Sequence, residues 1–397
     1  MIISRPVRII ENVGTKLATC DPESYRVERD KDGHIYFSFR DKNKNVYVAR
    51  GDHPNQLGGR WTVQQIFGDK GLLGDLKAAK FGASLAVDRE HDELSLLICE
   101  KTTHSCVYTR CKLREYGNIT NAENWYAAGE PNPSTTGYAK VGSLGDANES
   151  LCTIEHDKHG NAIVSFSMFK HNTFSVMLTK FQDQWLQPIL IDQDKKYCWA
   201  SCLYLDVNND LHIAYESYKD DTVRHKQAPL IDCLNPAEWK SAKGEKDFDH
   251  ALHHHTKSCR AFSMLGNNLG KIYFVGHTAP QQVATTDILY NILDIKRGDW
   301  LFNEKENCGM ISSVGYNGTY GYPQVGILAK TPVVVYTREG SDGQLHVTKN
   351  LNEIVYMGPS NTYYPCLERE NERELNVIFT KKTLFAYDIL GLTIHQT

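Results

Sequence analysis

The chain has 397 residues, 41% of them hydrophobic, 10% aromatic and 23% charged, which is enough apolar material for a sizeable core and unlike the composition of a disordered chain. With 44 basic against 48 acidic residues the net charge is -4, so no global field draws it to nucleic acid or to an anionic membrane, and any anion site has to be built locally. No run of about 18 consecutive apolar residues appears, so no membrane-spanning helix is expected.

The start, MIISRPVRIIENVG, carries Arg5 and Arg8 in too short an apolar run for a secretion signal and reads as a strand. That leaves a cytoplasmic protein, one released without a leader, or a mature secreted form. The stretch DKDGHIYFSFR, residues 30–40, sets a charged turn with Gly33 before strict alternation: Ile35, Phe37 and Phe39 on one side, His34, Tyr36 and Ser38 on the other. This is the pattern of a hairpin entering a half-buried strand. It recurs as DKHGNAIVSFS from Asp157 and DVNNDLHIAYES from Asp206, with REHDELSLLICE, NLGKIYFVGH and RELNVIFTK as looser copies.

Tryptophan recurs at Trp61, Trp125, Trp185, Trp239 and Trp300, with gaps of 64, 60, 54 and 61 residues. That period fits one four-stranded unit plus its connections. Each unit reads as strands a, b and c and a Trp-bearing strand d; the first runs ESYRVERD, GHIYFSFR, NVYVARGD, RWTVQQIF. The seventh, YYPCLERE, ELNVIFTK, TLFAYDIL, lacks a fourth strand, and SRPVRIIEN at the N-terminus supplies it, because joining the chain ends leaves no unpaired edge. The expected fold is all-β: a seven-bladed β-propeller, one domain over residues 1–397, and a monomer. Short helical patches are expected in the connections at KGLLGDLKAAKF and DCLNPAEW.

Eleven cysteines include no CxxC pair, and Cys99, Cys152, Cys202 and Cys259 lie inside strand-like runs, which reads as reduced, buried thiols. Three consecutive histidines, His253 to His255, cannot all face one ion from a strand, since neighbours point to opposite sides. A structural zinc is left open and unassigned, and no cofactor is required for the chemistry below.

In a propeller all strand-b ends open on one face with the d-to-a connections. There the blades set Arg40, Lys101, Lys170 with His171, Tyr218 with Lys219, His277, Arg338 and Lys381. A ring of cations in a concave mouth attracts an anionic ligand; the competing reading is ordinary solvated loop charge. Long d-to-a connections add His250, His255 and Arg260, and Tyr316, Tyr320 and Tyr322.

Over blades five and six the order of residue types resembles the BNR-repeat-like polysaccharide lyases, in particular the ulvan lyases. Their pattern has a His entering one strand a, a Gly-His-Asn-x-Pro-like element ending strand b, Tyr-Pro opening the next blade and Tyr-x-Arg closing its strand b. Here these become His255, Gly276-His277-Thr278-Ala279-Pro280, Tyr322-Pro323 and Tyr336-Thr337-Arg338. Thr278 stands in place of the Asn, and the Asp-box of sialidases, S-x-D-x-G-x-T-W, is absent.

The resemblance implies a seven-bladed propeller that cleaves an acidic, uronate-containing, ulvan-like polysaccharide by β-elimination. The carboxylate must be neutralised, a base must take the C5 proton, and an acid must protonate the departing O4. It implies Arg338 with His277 as neutralisers, because the Arg fork matches a carboxylate, and His255 and Tyr322 as base and acid, in an order that the residues do not settle. Arg40, Lys101, His171, Tyr218, Lys219, Arg260 and Tyr336 are the expected substrate contacts. The alternatives are a non-catalytic glycan-binding propeller and a protein-interaction scaffold.

Overall fold

The computed structural model describes every residue except 20–24, 116–117, 129–136, 147–150, 196–197, 218–220, 242–249, 256, 280–285, 304–305, 315–320 and 339–342. Seven antiparallel sheets follow one another along the chain. Blade one is Val27–Arg29, Ile35–Arg40, Val46–Gly51 and Trp61–Phe67. Blades five and six are Ser258–Asn267, Lys271–Ala279, Thr286–Asp294 and Gly309–Val314, then Gln324–Leu328, Thr331–Arg338, Gln344–Lys349 and Glu353–Met357. In blade seven, Thr362–Leu367, Glu374–Lys382 and Tyr387–His395 are joined by the N-terminal Val7–Ile10, which pairs with Tyr387–His395 and closes the ring. No described helix is long and apolar enough to cross a membrane.

The recurrent Asp turn has one local cause. Asp30, Asp157 and Asp206 each accept the backbone N–H four residues on, at 2.8, 2.9 and 2.8 Å from His34, Asn161 and Asp210. The residue before that donor is left-handed in each case: Gly33, Gly160 and Asn209, residue types that tolerate positive φ. The carboxylate thereby fixes the a–b turn and the register of the alternating strand that follows. Alternation sorts the two sides of the strand between neighbouring blades, and both are buried: Ile35, Phe37 and Phe39 pack in one core cluster and Tyr36 in another, so the strand is not half-buried as expected.

The tryptophans depart from the expected pattern. Only Trp61 lies in an outer strand; Trp125, Trp185 and Trp300 sit on two-residue strands that fold back on strand c, and Trp239 follows a 3-10 turn. Their period is real because each serves the same c–d connection. The indole N–H groups of Trp61, Trp125, Trp185 and Trp239 donate to the carbonyls of Leu57, Ile119, Ala128 and Cys233 at 2.9–3.1 Å, giving a large apolar body one fixed polar anchor. Short 3-10 turns form at Leu230–Asp232 and Pro236–Glu238, as expected for DCLNPAEW, whereas KGLLGDLKAAKF forms turns and then the strand Ala78–Asp88. Lys70 and Gly74, both at positive φ, break that segment.

Around the axis, buried polar ties accompany the apolar packing, in which Tyr25 joins Phe262, Met264 and Val325. Tyr25 of blade one reaches across to blade five, where its hydroxyl donates to the Met264 carbonyl at 2.8 Å and lies 3.2 Å from Ser263 Oγ. Arg369 of blade seven stacks 4.7 Å above the Tyr25 ring and pairs with Glu28 of blade one at 2.8 Å and Glu155 of blade three at 2.6 Å. Arg29 forks onto buried Glu368 at 2.8 and 2.9 Å and reaches Glu374 at 3.0 Å, latching blade one to blade seven. The nine cysteines whose side chains are described are buried, and no disulfide joins them.

Candidate active site

At the mouth, inner strands of three successive blades break their regular course at one non-glycine residue held in the left-handed region: Ala261 (φ +42°), Tyr322 (φ +42°) and Tyr364 (φ +48°). Ala261 and Tyr364 lie in register breaks of the inner strands of blades five and seven, and Tyr322 stands two residues before Gln324–Leu328. Such residues cost about 1–3 kcal/mol each and persist where their surroundings over-determine them. Glu216 accepts the Ala261 N–H at 2.6 Å, and Thr19 donates to the Tyr364 carbonyl at 2.8 Å. Beside Tyr322, Gly321 packs so closely on Ile288 that an added Cβ would lie 2.2 Å from its side chain.

These breaks bring side chains of three blades together. The Tyr322 ring stands edge-on to His277, centroids 5.7 Å apart, and 4.5 Å from that of Tyr364. His277, fully buried, lies opposite Arg260 in the blade-five hairpin. Burial, reinforced by the Arg260 charge, pushes its imidazole down to about 3, so the ring is neutral at ordinary pH. Thr278, where the resembled pattern has Asn, accepts the Asp287 N–H at 2.8 Å and holds the strand end in place.

Burial pushes the Glu216 carboxyl up to about 7 against the pull of the Ala261 N–H and Arg260. The folded protein therefore holds this proton more tightly than the unfolded chain, whose value lies near 4.5, and ionised Glu216 costs stability progressively between those two pH values. Glu216→Gln keeps an acceptor for Ala261. Above about pH 7 this variant is expected to be more stable than the parent by up to roughly 3 kcal/mol, a gain that vanishes near pH 4.5. Urea midpoints across that range measure it, and a difference independent of pH would refute the assignment.

The other expected residues are distributed as follows. Arg338 is exposed at the end of strand b of blade six. Tyr336, on the same strand, is fully buried and stacked on His346 at 5.3 Å, so it supports that strand from below and offers no surface to the mouth. Burial and then Arg338 push His346 down to about 4. Arg40 is buried, its N–H bonded to the Ala18 carbonyl at 3.2 Å, and so lies under the N-terminal connection. Lys101 and His171 are exposed in the b–c turns of blades two and three; Tyr218, Lys219, Tyr316 and Tyr320 lie outside the described residues.

His255 is exposed on the outer flank of blade five, its N–H held by Asn307 at 2.9 Å, and no contact among the described residues joins it to Tyr322 or His277. Its neighbour His253 is buried, with Nε2 2.9 Å from the Asn303 carbonyl and Nδ1 3.4 Å from Cys308 Sγ. Among the described residues no group of three or more His, Cys, Asp and Glu is arranged to hold a metal ion. Tyr364 and Glu216 were not anticipated. For Tyr364 the signal was present, since Tyr364-Pro365 repeats Tyr322-Pro323.

A seven-bladed propeller with this mouth has the fold of known polysaccharide lyases. No protein-family model matches the chain, and no curated protein matches it. Among solved structures, an ulvan lyase of polysaccharide lyase family PL25, bound to -[GlcA(1-4)Rha3S]-, is similar with a TM-score of 0.63 at 10% identity, over 97% of this chain and 95% of that one. The polysaccharide lyase Uly1 has a TM-score of 0.61 at 10% identity over 100% of both chains. An oligogalacturonate lyase from Vibrio parahaemolyticus reaches 0.54 at 9% identity, over 100% and 98%. At such identities the likeness establishes the architecture.

Proposed function

We propose that the protein is a lyase that cleaves an acidic, uronate-containing glycan by β-elimination at the mouth over blades five to seven. The observation that carries this reading is Tyr322, held left-handed and edge-on to a neutral His277. In this scheme Arg338, with Arg260 behind, neutralises the sugar carboxylate and makes the C5 proton acidic. The neutral, buried His277 supports the Tyr322 ring from beneath. Tyr322 removes the proton. As the C4–O4 bond breaks and a C4=C5 double bond forms, Tyr322 returns the proton to O4. Tyr322 takes both roles because it is the titratable hydroxyl beside His277, whereas His255 stands on the outer flank and contributes to chain binding. The shared fold with lyases, one of them bound to a GlcA-containing glycan, supports the reading.

The test is ultraviolet absorbance during incubation with ulvan, alginate, pectate and glycosaminoglycans, since elimination creates a conjugated chromophore. A rise with one substrate is expected, and Arg338→Ala should lower kcat/KM by roughly 10²-fold. Binding without a rise would leave a glycan-binding propeller, and no binding to any member of the panel would overturn the proposal.

A further inference from the structure

Blade seven carries aromatic rings from Tyr322 toward the edge of the mouth. Tyr364 lies 4.5 Å from Tyr322, its chain neighbour Tyr363 lies 6.2 Å from Tyr387, and Lys16 from the N-terminal connection sits 5.8 Å over the Tyr363 ring. Two residues before Tyr387, the b–c turn presents Leu384 and Phe385 at 90% and 98% exposure. This turn is ordered from within. Thr383 N–H donates to the Ala386 carbonyl at 2.8 Å, the Thr383 hydroxyl donates to the same carbonyl at 3.0 Å, and Ala386 N–H donates back to that hydroxyl at 3.2 Å. Lys381 and Lys382 precede it, and the Lys382 N–H is fixed to the Asn361 carbonyl at 2.8 Å.

A fully exposed Phe on a pre-ordered turn loses apolar hydration free energy and gains nothing within the chain. Its surroundings specify what would cover it. Aromatic faces take the C–H faces of sugar rings, flanking lysines take acidic substituents, and Phe385 stands on the same blade as Tyr364, the ring beside Tyr322. We propose that Phe385, with Tyr363 and Tyr387, forms a distal subsite that holds an acidic glycan chain several sugars away from the cleaved bond; this rests on the lyase reading above. The backbone of the turn is ordered before binding, so little backbone ordering entropy is lost when a chain settles on it. Because it lies on the blade beyond Tyr322, at an outer b–c turn, only chains long enough to reach it feel it, and affinity should rise with chain length.

The experiment measures dissociation constants by calorimetry in the Tyr322→Phe background, which limits cleavage. The probes are intact ulvan, alginate, pectate and chondroitin sulfate, and size-fractionated tetrasaccharides of each. The parent should bind one polymer more tightly than its tetrasaccharide, and Phe385→Ala should shrink that ratio about fivefold, as expected when half a Phe side chain loses its cover. Ile231→Ala, removing an equally exposed apolar side chain (90%) from the opposite face, should leave the ratio unchanged. An unchanged ratio in Phe385→Ala, with polymer binding intact, would overturn the subsite while sparing the lyase reading. Failure of the parent to bind any probe would overturn both. Sedimentation showing a parent dimer that Phe385→Ala dissociates, at constant polymer affinity, would make the turn a self-association contact and overturn the subsite.

Discussion

Tyr322→Phe is expected to lower turnover on the responsive polysaccharide by about 10³-fold, with polymer affinity nearly retained. The substitution removes one oxygen and keeps the ring that packs 5.7 Å from His277 and 4.5 Å from Tyr364, so the left-handed backbone and the Gly321 approach to Ile288 have no reason to change. In the proposed scheme that oxygen both receives the C5 proton and returns it to O4. Phe therefore removes two steps of one reaction, and the loss falls on kcat with little change in KM. Single-turnover absorbance traces alongside equilibrium binding separate the two quantities. A loss smaller than tenfold would move the proton-carrying role to another group, with neutral His277 the first to test by substitution.

Arg29→Leu is expected to cost about 3–5 kcal/mol of unfolding free energy, the range for removing one partner of a buried ion pair. Arg29 and Glu368 are 7% and 1% exposed at their side chains. Glu368 also receives the N–H and side-chain amide of Asn376 at 3.1 and 2.9 Å, so it cannot turn toward solvent once Arg29 is gone. The loss should be larger than for an ordinary buried pair within one sheet, because this fork bridges the first and last blades. Arg29→Lys, which keeps the charge and loses the two-pronged geometry, should fall between parent and Leu. Denaturant midpoints give the comparison, and a loss below about 1 kcal/mol in the Leu variant would show that the N-terminal strand closes the ring unaided.

Much of the architecture could be read before any coordinates because its signals are local and repeated. The Asp-anchored turn and the alternation after it depend on residues within a few positions of each other, and the N-terminal strand follows from counting strands. The tryptophans mark the period correctly, yet they sit in the c–d connections: spacing says that a residue recurs, not which strand carries it. The order of types His277, Tyr322, Arg338 was legible, and the structure brings the first two of them together. What escaped was depth and backbone shape. Tyr336 shares its strand with Arg338 but lies against His346 in the interior, and alternation cannot tell a mouth residue from one further down the same side. Tyr364 joins Tyr322 only because both adopt a left-handed conformation that no hydrophobic pattern encodes. His255 follows the resembled order yet sits on the outer flank, since three consecutive histidines leave the path of the connection open.

Tyr25, reaching across the axis from blade one to blade five, gives the mouth a floor. The ring is therefore bridged along that line and is not an open bore: on the proposed reading, a polymer would rest against this tie and would not pass through the ring like cord through a bead.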